Sequence, residues 1–302
     1  MKNDGVILLR YSMEEIFILL IGYFNEWSGI FMKFNVSCVQ MKPERYDVKR
    51  NIKTMCGFID KVMEENANTN LIVFPELITS GYECHEEFHK IAEVACESDS
   101  IKIIGQAAKK YKTNIIFGFP ERDAENKEVL YNSAAFVNEK GELGGTYRKV
   151  HLFDTEKKYF TPGRDYPVFD TSFGKIGVMI CWDTAFPEVA RIYALKDVDL
   201  LVVSTNWEKP YSDDWDLVTS ARAFDNCVYL AAANRIGNDD KLSFFGHSRI
   251  VSPLGKSIAE LNEEIEGVIS AELDLQVPLK LREEYYTFFK DRRPDTYDLL
   301  VK

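Results

Sequence analysis

From residue 32 onward the chain alternates short apolar runs with longer stretches in which apolar residues recur every three or four positions. Runs of four to eight apolar residues bounded by turn formers suit strands, and the longer repeat suits helices with one buried face. The pattern predicts strands at 34–40, 71–74, 114–119, 131–137, 144–149, 175–181, 198–204, 227–234, 247–252 and 265–273. It predicts helices at 46–66, 86–95, 99–112, 184–196, 213–226 and 275–289. In the first of these, Val48, Ile52, Met55, Ile59, Val62 and Met63 fall on one face. The third opens on a Ser or Asp able to cap it and closes on lysines, which suit a helix C-terminus. Turns fall at Asn138 to Gly141, at Pro162-Gly163 and at Pro253 to Gly255. Strands alternating with helices define an α/β fold. No linker divides residues 32–302, which read as one domain.

The first 31 residues break the pattern. "IFILLIGYF" (16–24) is apolar but only nine residues long, with Glu14, Glu15 and Glu26 close by, whereas a membrane span needs about 20 apolar residues. A signal peptide would need a small-residue cleavage site, which is missing. Residues 1–31 are therefore expected to form an extension outside the catalytic fold, with Met32 opening the first strand. Composition narrows the partners. With 46% hydrophobic and 28% charged residues and a net charge of −11, the chain suits a soluble protein that binds neither nucleic acid nor an anionic membrane. Its six cysteines include no C-x-x-C pair, so reduced thiols in the cytoplasm are expected and no metal-ligand spacing is present. Cys38, Cys56, Cys96 and Cys227 are expected in the core and Cys84 at the surface.

Three apolar runs end on reactive side chains. "LIVFPEL" delivers Glu76, "GGTYRKVHLF" delivers Lys149 and "KIGVMIC" delivers Cys181. In open α/β sheets, ligands bind beyond the C-terminal ends of strands. Cys181 is followed at once by "TAFPEVARIYALK", giving strand, sharp turn and helix, the arrangement that exposes a nucleophile. Positive potential in such a place favours the thiolate. Taken alone, Cys181 reads more readily as a buried core residue finishing its strand, and Lys149 as a surface neighbour of Arg148. Glu76 is harder to place structurally, because burying an unpaired carboxylate is costly. "HEEFH" (85–89) matches H-E-x-x-H, but that zinc signature needs a long helix and a third ligand. It is expected to be a solvated, charged helix face.

"FPELITSGY", "YRKVHLF" and "GVMICWDTAFPEVAR" in this order resemble the nitrilase superfamily of carbon–nitrogen hydrolases, from about Met32 to about Arg293. The resemblance implies a four-layer αββα sandwich, commonly a homodimer or higher homo-oligomer, with no metal or organic cofactor. It implies Cys181 as nucleophile, Glu76 as general base and Lys149 as oxyanion stabiliser. A second glutamate in this family follows the lysine, and Glu156 in "HLFDTEKKYFTPG" matches it, with Asp154 as the competing acid. "CWDTAFPEVAR" looks like the amidase and N-carbamoyl-amine hydrolase branches, and nitrile-cleaving members more often carry Glu where Asp183 stands. Hydrolysis of a small linear carboxamide is therefore expected. Nitrile hydrolysis and N-carbamoyl-amine hydrolysis are the alternatives, with a non-catalytic binding protein on the same fold the more remote one. Tyr82, Trp182, Phe186, Asn206 and Trp207 are expected to line the substrate pocket. The aromatic tail "YYTFFKDRRPDTYDLL" (285–300), especially from about residue 290, is expected to serve assembly.

Overall fold

The computed structural model describes residues 33–301, so the expectations for residues 1–31 lie outside the described residues. Fourteen strands occur among them: β1 Lys33–Gln40, β2 Thr69–Val73, β3 Asn114–Arg122, β4 Leu130–Val137, β5 Leu143–Arg148, β6 Val168–Thr171, β7 Gly174–Ile180, β8 Leu200–Thr205, β9 Tyr229–Asn234, β10 Ile236–Asn238, β11 Ser243–Phe245, β12 Ser248–Val251, β13 Ser257–Leu261 and β14 Gly267–Asp274. They form two six-stranded mixed sheets, ordered β14-β1-β2-β3-β4-β5 and β13-β12-β9-β8-β7-β6, plus the small β10–β11 ribbon.

Alternation along the strands sets the layers. In β1, Phe34, Val36 and Cys38 face the core shared with the second sheet, while Val39 faces the helices; in β2, Leu71 and Val73 face the shared core and Ile72 faces the helices. A strand with apolar residues on both faces must be covered on both sides. The outer cover of the first sheet is the helix Val48–Glu65, whose Ile52, Met55, Ile59 and Val62 are buried, with the helix Asp99–Tyr111 beside it. Both are capped as their sequences suggest: Asp47 accepts from the Arg50 N–H at 3.0 Å and Ser98 from the Ile101 N–H at 3.0 Å. The helices Pro187–Leu195 and Ser212–Asn226 cover the second sheet with Val189, Ala190, Tyr193, Trp215 and Ala223. The result is the expected αββα sandwich.

The predicted helix 86–95 does not form. A short turn at His85–Glu87 and one turn of helix at Phe88–Ile91 take its place, because Glu93 leaves the helical path to bond β3: its N–H donates to the Pro120 carbonyl and its carbonyl accepts from Arg122. The His85 and His89 of "HEEFH" therefore share no long helix. The predicted helix 275–289 ends at Glu284. Cysteine burial departs from expectation: Cys96 is exposed in the turn after Glu93 and Cys56 is half-buried. Cys84 is buried, its thiol donating to the Ser80 carbonyl at 3.1 Å. Among the described residues no helix is long and apolar enough to cross a membrane.

Candidate active site

Four strand ends converge, two from each sheet. Glu76 follows β2 by three residues, Lys149 follows β5, Cys181 follows β7 and Asn206 follows β8. The ends are tied across the sandwich, since the Ser204 hydroxyl donates to the Phe74 carbonyl at 2.9 Å and the Asn206 N–H to Glu76 Oε2 at 2.9 Å. The chain carrying Glu76 lies directly against β3. A Cβ on Gly118 would stand 2.3 Å from the Leu77 nitrogen and 2.5 Å from the Glu76 Cα, so only glycine permits this approach.

Lys149 is the hub. Far from lying at the surface beside Arg148, it is fully buried, and its Nζ donates to Glu76 Oε1 and to Glu156 Oε1, both at 2.7 Å. Arg148 points the other way, to Glu121 at 2.7 Å, because neighbouring residues on a strand face opposite sides. Asn132, on β4, donates to Glu76 Oε1 at 2.7 Å. Glu156 sits in the 3₁₀ turn Asp154–Lys158, where its Oε1 accepts from the Tyr82 hydroxyl at 2.7 Å and its Oε2 from the Phe153 N–H at 3.0 Å. Of the two acids weighed from sequence, Glu156 is buried and Asp154 exposed.

The electrostatics follow from two carboxylates sharing one buried ammonium. Burial disfavours a charged Lys149, but Glu156 and Glu76 outweigh it and hold the lysine well above its ordinary value. Burial raises Glu156 to about 7, with Lys149 pulling down and Glu76 pushing up. Two carboxylates and one ammonium leave the triad one proton short of neutrality, and burial favours uptake of a proton at Glu156 as pH falls through about 7.

Cys181 opens the 3₁₀ turn Cys181–Ala185 with φ +44°, a left-handed conformation that costs energy in a residue with a Cβ. Asp183 holds the turn: its Oδ2 accepts from the Ile180 N–H at 3.1 Å and the Tyr147 hydroxyl at 2.8 Å, and its Oδ1 from the His151 N–H at 2.9 Å. Its carboxylate is therefore occupied by the scaffold. The expected bias to thiolate is not what the surroundings produce. Burial first, then the charge of Glu76, push the Cys181 thiol well up, and Lys149 only partly opposes them, so the resting sulfur is a thiol.

Beside it opens a narrow cleft lined by Tyr82, Phe153, Cys181, Trp182, Asn206, Trp207, Glu208, Tyr211 and Leu242. Tyr82, Trp182, Asn206 and Trp207 lie where sequence placed them. Phe186 does not line the cleft; its ring stacks on His151, with centroids 3.8 Å apart, behind Trp182. Asn132 and Glu208 went unnoticed in the sequence. The one available signal was an amide and a carboxylate next to apolar runs, in "LYNSAAFV" and "VVSTNWE".

Comparison with known proteins identifies the family. The family model described as "Carbon-nitrogen hydrolase" matches residues 35–281. A Schizosaccharomyces pombe protein named "Probable nitrilase" is 61% identical over 270 residues, covering 89% of this chain and 99% of its own. The omega-amidase NIT3 of Saccharomyces cerevisiae is 33% identical over 280 residues, covering 88% of this chain and 95% of its own. The crystal structure of a carbon-nitrogen hydrolase from Helicobacter pylori superposes with a TM-score of 0.84 at 28% identity, covering 90% of this chain and 99% of that one.

Proposed function

Because the chain belongs to the carbon–nitrogen hydrolase family and is therefore a hydrolase of non-peptide C–N bonds, we propose that it cleaves a small linear carboxamide to a carboxylate and ammonia through Cys181, Glu76 and Lys149. The observation that carries this reading is the buried Glu76–Lys149–Glu156 triad at 2.7 Å, whose Glu76 and Lys149 act on the thiol of Cys181 at the end of the cleft.

A neutral thiol must lose its proton as it attacks, so a base is required at the moment of reaction. Glu76 takes that proton while Sγ bonds to the amide carbon. The oxyanion that forms is held by the Lys149 ammonium and by the backbone N–H of Trp182, at the start of a 3₁₀ turn where N–H groups lack intrahelical acceptors. Collapse breaks the C–N bond, and ammonia leaves with the proton from Glu76. Water then attacks the thioester with Glu76 again as base. The carboxylate departs as the C–S bond breaks and the thiol is restored. Glu156 and Asn132 fix the positions of Lys149 and Glu76.

A nitrile would enter the same site, attacked by the same sulfur to give a thioimidate, and the name of the S. pombe relative favours keeping this second reading. Ammonia release from short amides, N-carbamoyl amines and aliphatic nitriles decides between them. Glu76→Gln keeps the shape of the side chain and removes the base. It should slow acylation by about 10²–10⁴-fold in a protein that still unfolds cooperatively. Wild-type turnover in that variant would remove Glu76 from the mechanism.

The tail suits assembly in part. Tyr286 and Phe288 pack on Phe224 of the protein's own helix Ser212–Asn226, whereas Leu299 and Leu300 stand exposed. We read this surface as one covered by a second copy. Sedimentation should give at least twice the 34.8 kDa chain mass, and a monomer at micromolar concentration would refute it.

A further inference from the structure

The polar character of the cleft points to the far end of the substrate. Its only charged lining residue is Glu208. Among the described residues the half-buried carboxylate of Glu208 has no hydrogen bond or ion pair, and the backbone fixes its place, through a bridge to Phe244 and the bond from the Tyr211 N–H to its carbonyl at 3.1 Å. Its chain neighbour Lys209 pairs instead with Glu264 at 2.9 Å. The charges that reach it are Asp154 and Glu83, both negative, and together with burial they raise its carboxyl above the ordinary value. Around the same cleft stand the rings of Phe153, Trp182, Trp207 and Tyr211. Trp182 lies 5.1 Å from Phe153 and 6.1 Å from Trp207, centroid to centroid.

A second observation shows a polar ligand to be accommodated. Asn206 is 4% exposed, lines the cleft, and neither its side-chain oxygen nor its side-chain nitrogen has a partner. Burying such a group unpaired is costly unless something fills its valences. It stands after β8 and lines the same cleft as Cys181, with its backbone N–H on Glu76. That is the place for the polar atoms next to the scissile bond. Glu208 and the aromatic faces then remain for the other end of the molecule. An unpaired carboxylate among aromatic rings attracts a cation both by charge and through the ring faces, and it repels a second carboxylate.

We infer that the substrate is a short amide whose far end carries a cationic group, such as an ammonium, which pairs with Glu208 between the aromatic rings. A monoamide of a dicarboxylic acid is excluded by the same charge. This rests on the amidase reading above and adds the chemistry of the substrate's other end, with Glu208 as the residue that sets specificity.

Three amides of equal chain length test it: 5-aminopentanamide, pentanamide and the monoamide of glutaric acid. In the wild type, kcat/KM for ammonia release should favour 5-aminopentanamide over the glutaric monoamide by tenfold or more, mainly through KM. In Glu208→Gln the preference for 5-aminopentanamide over pentanamide should shrink by about tenfold, the weight of one charge-assisted contact. Glu208→Lys should turn the preference toward the glutaric monoamide. Calorimetric binding of the same three amides to Cys181→Ala separates the two readings. Binding of 5-aminopentanamide alone, with no hydrolysis by the wild type, would overturn the amidase reading and the substrate assignment with it, and leave Glu208 only as a cation-binding residue. Equal or tighter handling of the glutaric monoamide, a preference that ignores Glu208, or no binding of any of the three would overturn it.

Discussion

Cys181→Ala is expected to lower ammonia release by about 10⁵–10⁶-fold, to the background rate, the scale seen when a covalent nucleophile is removed. The reason is specific to this site. In the proposed mechanism the other groups prepare the attack of one sulfur, Glu76 to receive its proton and Lys149 to hold the oxyanion, while Asp183 pins the turn that carries Cys181 in the left-handed region. With the sulfur gone, the buried hydroxyl that lines the cleft, that of Tyr82, is not free to take its place. Tyr82 is engaged with Glu156, and its hydroxyl is raised well above its ordinary value by burial and then by the charges of Glu156 and Glu76. Loss of Sγ removes one atom from a buried position, so the thermal midpoint should shift by only a degree or two. Ammonia release by the purified variant at even a hundredth of the wild-type rate would mean that the thioester route is wrong.

A corollary concerns the alkylation rate of the wild type. A thiolate at rest would react quickly with iodoacetamide at pH 7. The surroundings make Cys181 a thiol, so rapid labelling in the absence of substrate is not expected. Its activation belongs to the encounter with the substrate, when a bound amide displaces water and Glu76 can accept the proton.

The fold was legible where each strand is a long apolar run. β1, β3, β4, β7, β8 and β9 fall within two or three residues of the positions read from the sequence. The strands that escaped are short and broken by glycine, charge or hydroxyl groups: "VFDT" in β6, "IGN" in β10, "SFF" in β11 and "SIAEL" in β13. β6 and β13 are edge strands, whose exposed faces need no apolar pattern. The failed helix at 86–95 has a helical pattern, but the competing hydrogen bonds come from β3, some 30 residues away.

The site divides in the same manner. Glu76, Lys149 and Cys181 each end an apolar run, a local signal, and their order along the chain is a family signature. What sequence does not carry is their convergence, which depends on two sheets packing face to face. Asp183 illustrates the limit. It was read as a marker of substrate class, and its carboxylate is in fact committed to Tyr147 and His151, residues 36 and 32 positions away. Glu208 illustrates the converse: "NWEKPY" reads as an ordinary polar turn, and only the cleft shows that its acid is the sole charge there.

Lys149→Met should damage stability and activity together. Methionine has a similar length and no branch, so packing is largely kept while the charge is lost. Glu76 and Glu156 then face each other in a dry site with no cation between them. Removing one partner from a buried ionic group costs about 3–5 kcal/mol at neutral pH, and loss of the oxyanion contact should lower kcat by at least about 10²–10³-fold. The pH dependence separates this cause from simple misfolding. In the wild type, Glu156 titrates at about 7 in the folded protein, against its ordinary 4.5. Between those values the folded state keeps a proton that the unfolded chain gives up. Stability is therefore lost as pH rises through that window, by at most about 1.4 kcal/mol per unit. Without Lys149 the force that pulls Glu156 down is gone, so the window extends upward. The variant should approach wild-type stability near pH 5 and fall progressively behind it toward pH 8. Urea midpoints at pH 5, 6, 7 and 8 for both proteins measure this directly. Parallel curves would show that the ammonium does not balance the two carboxylates, and the charge argument for Glu156 as the proton carrier would fail with it.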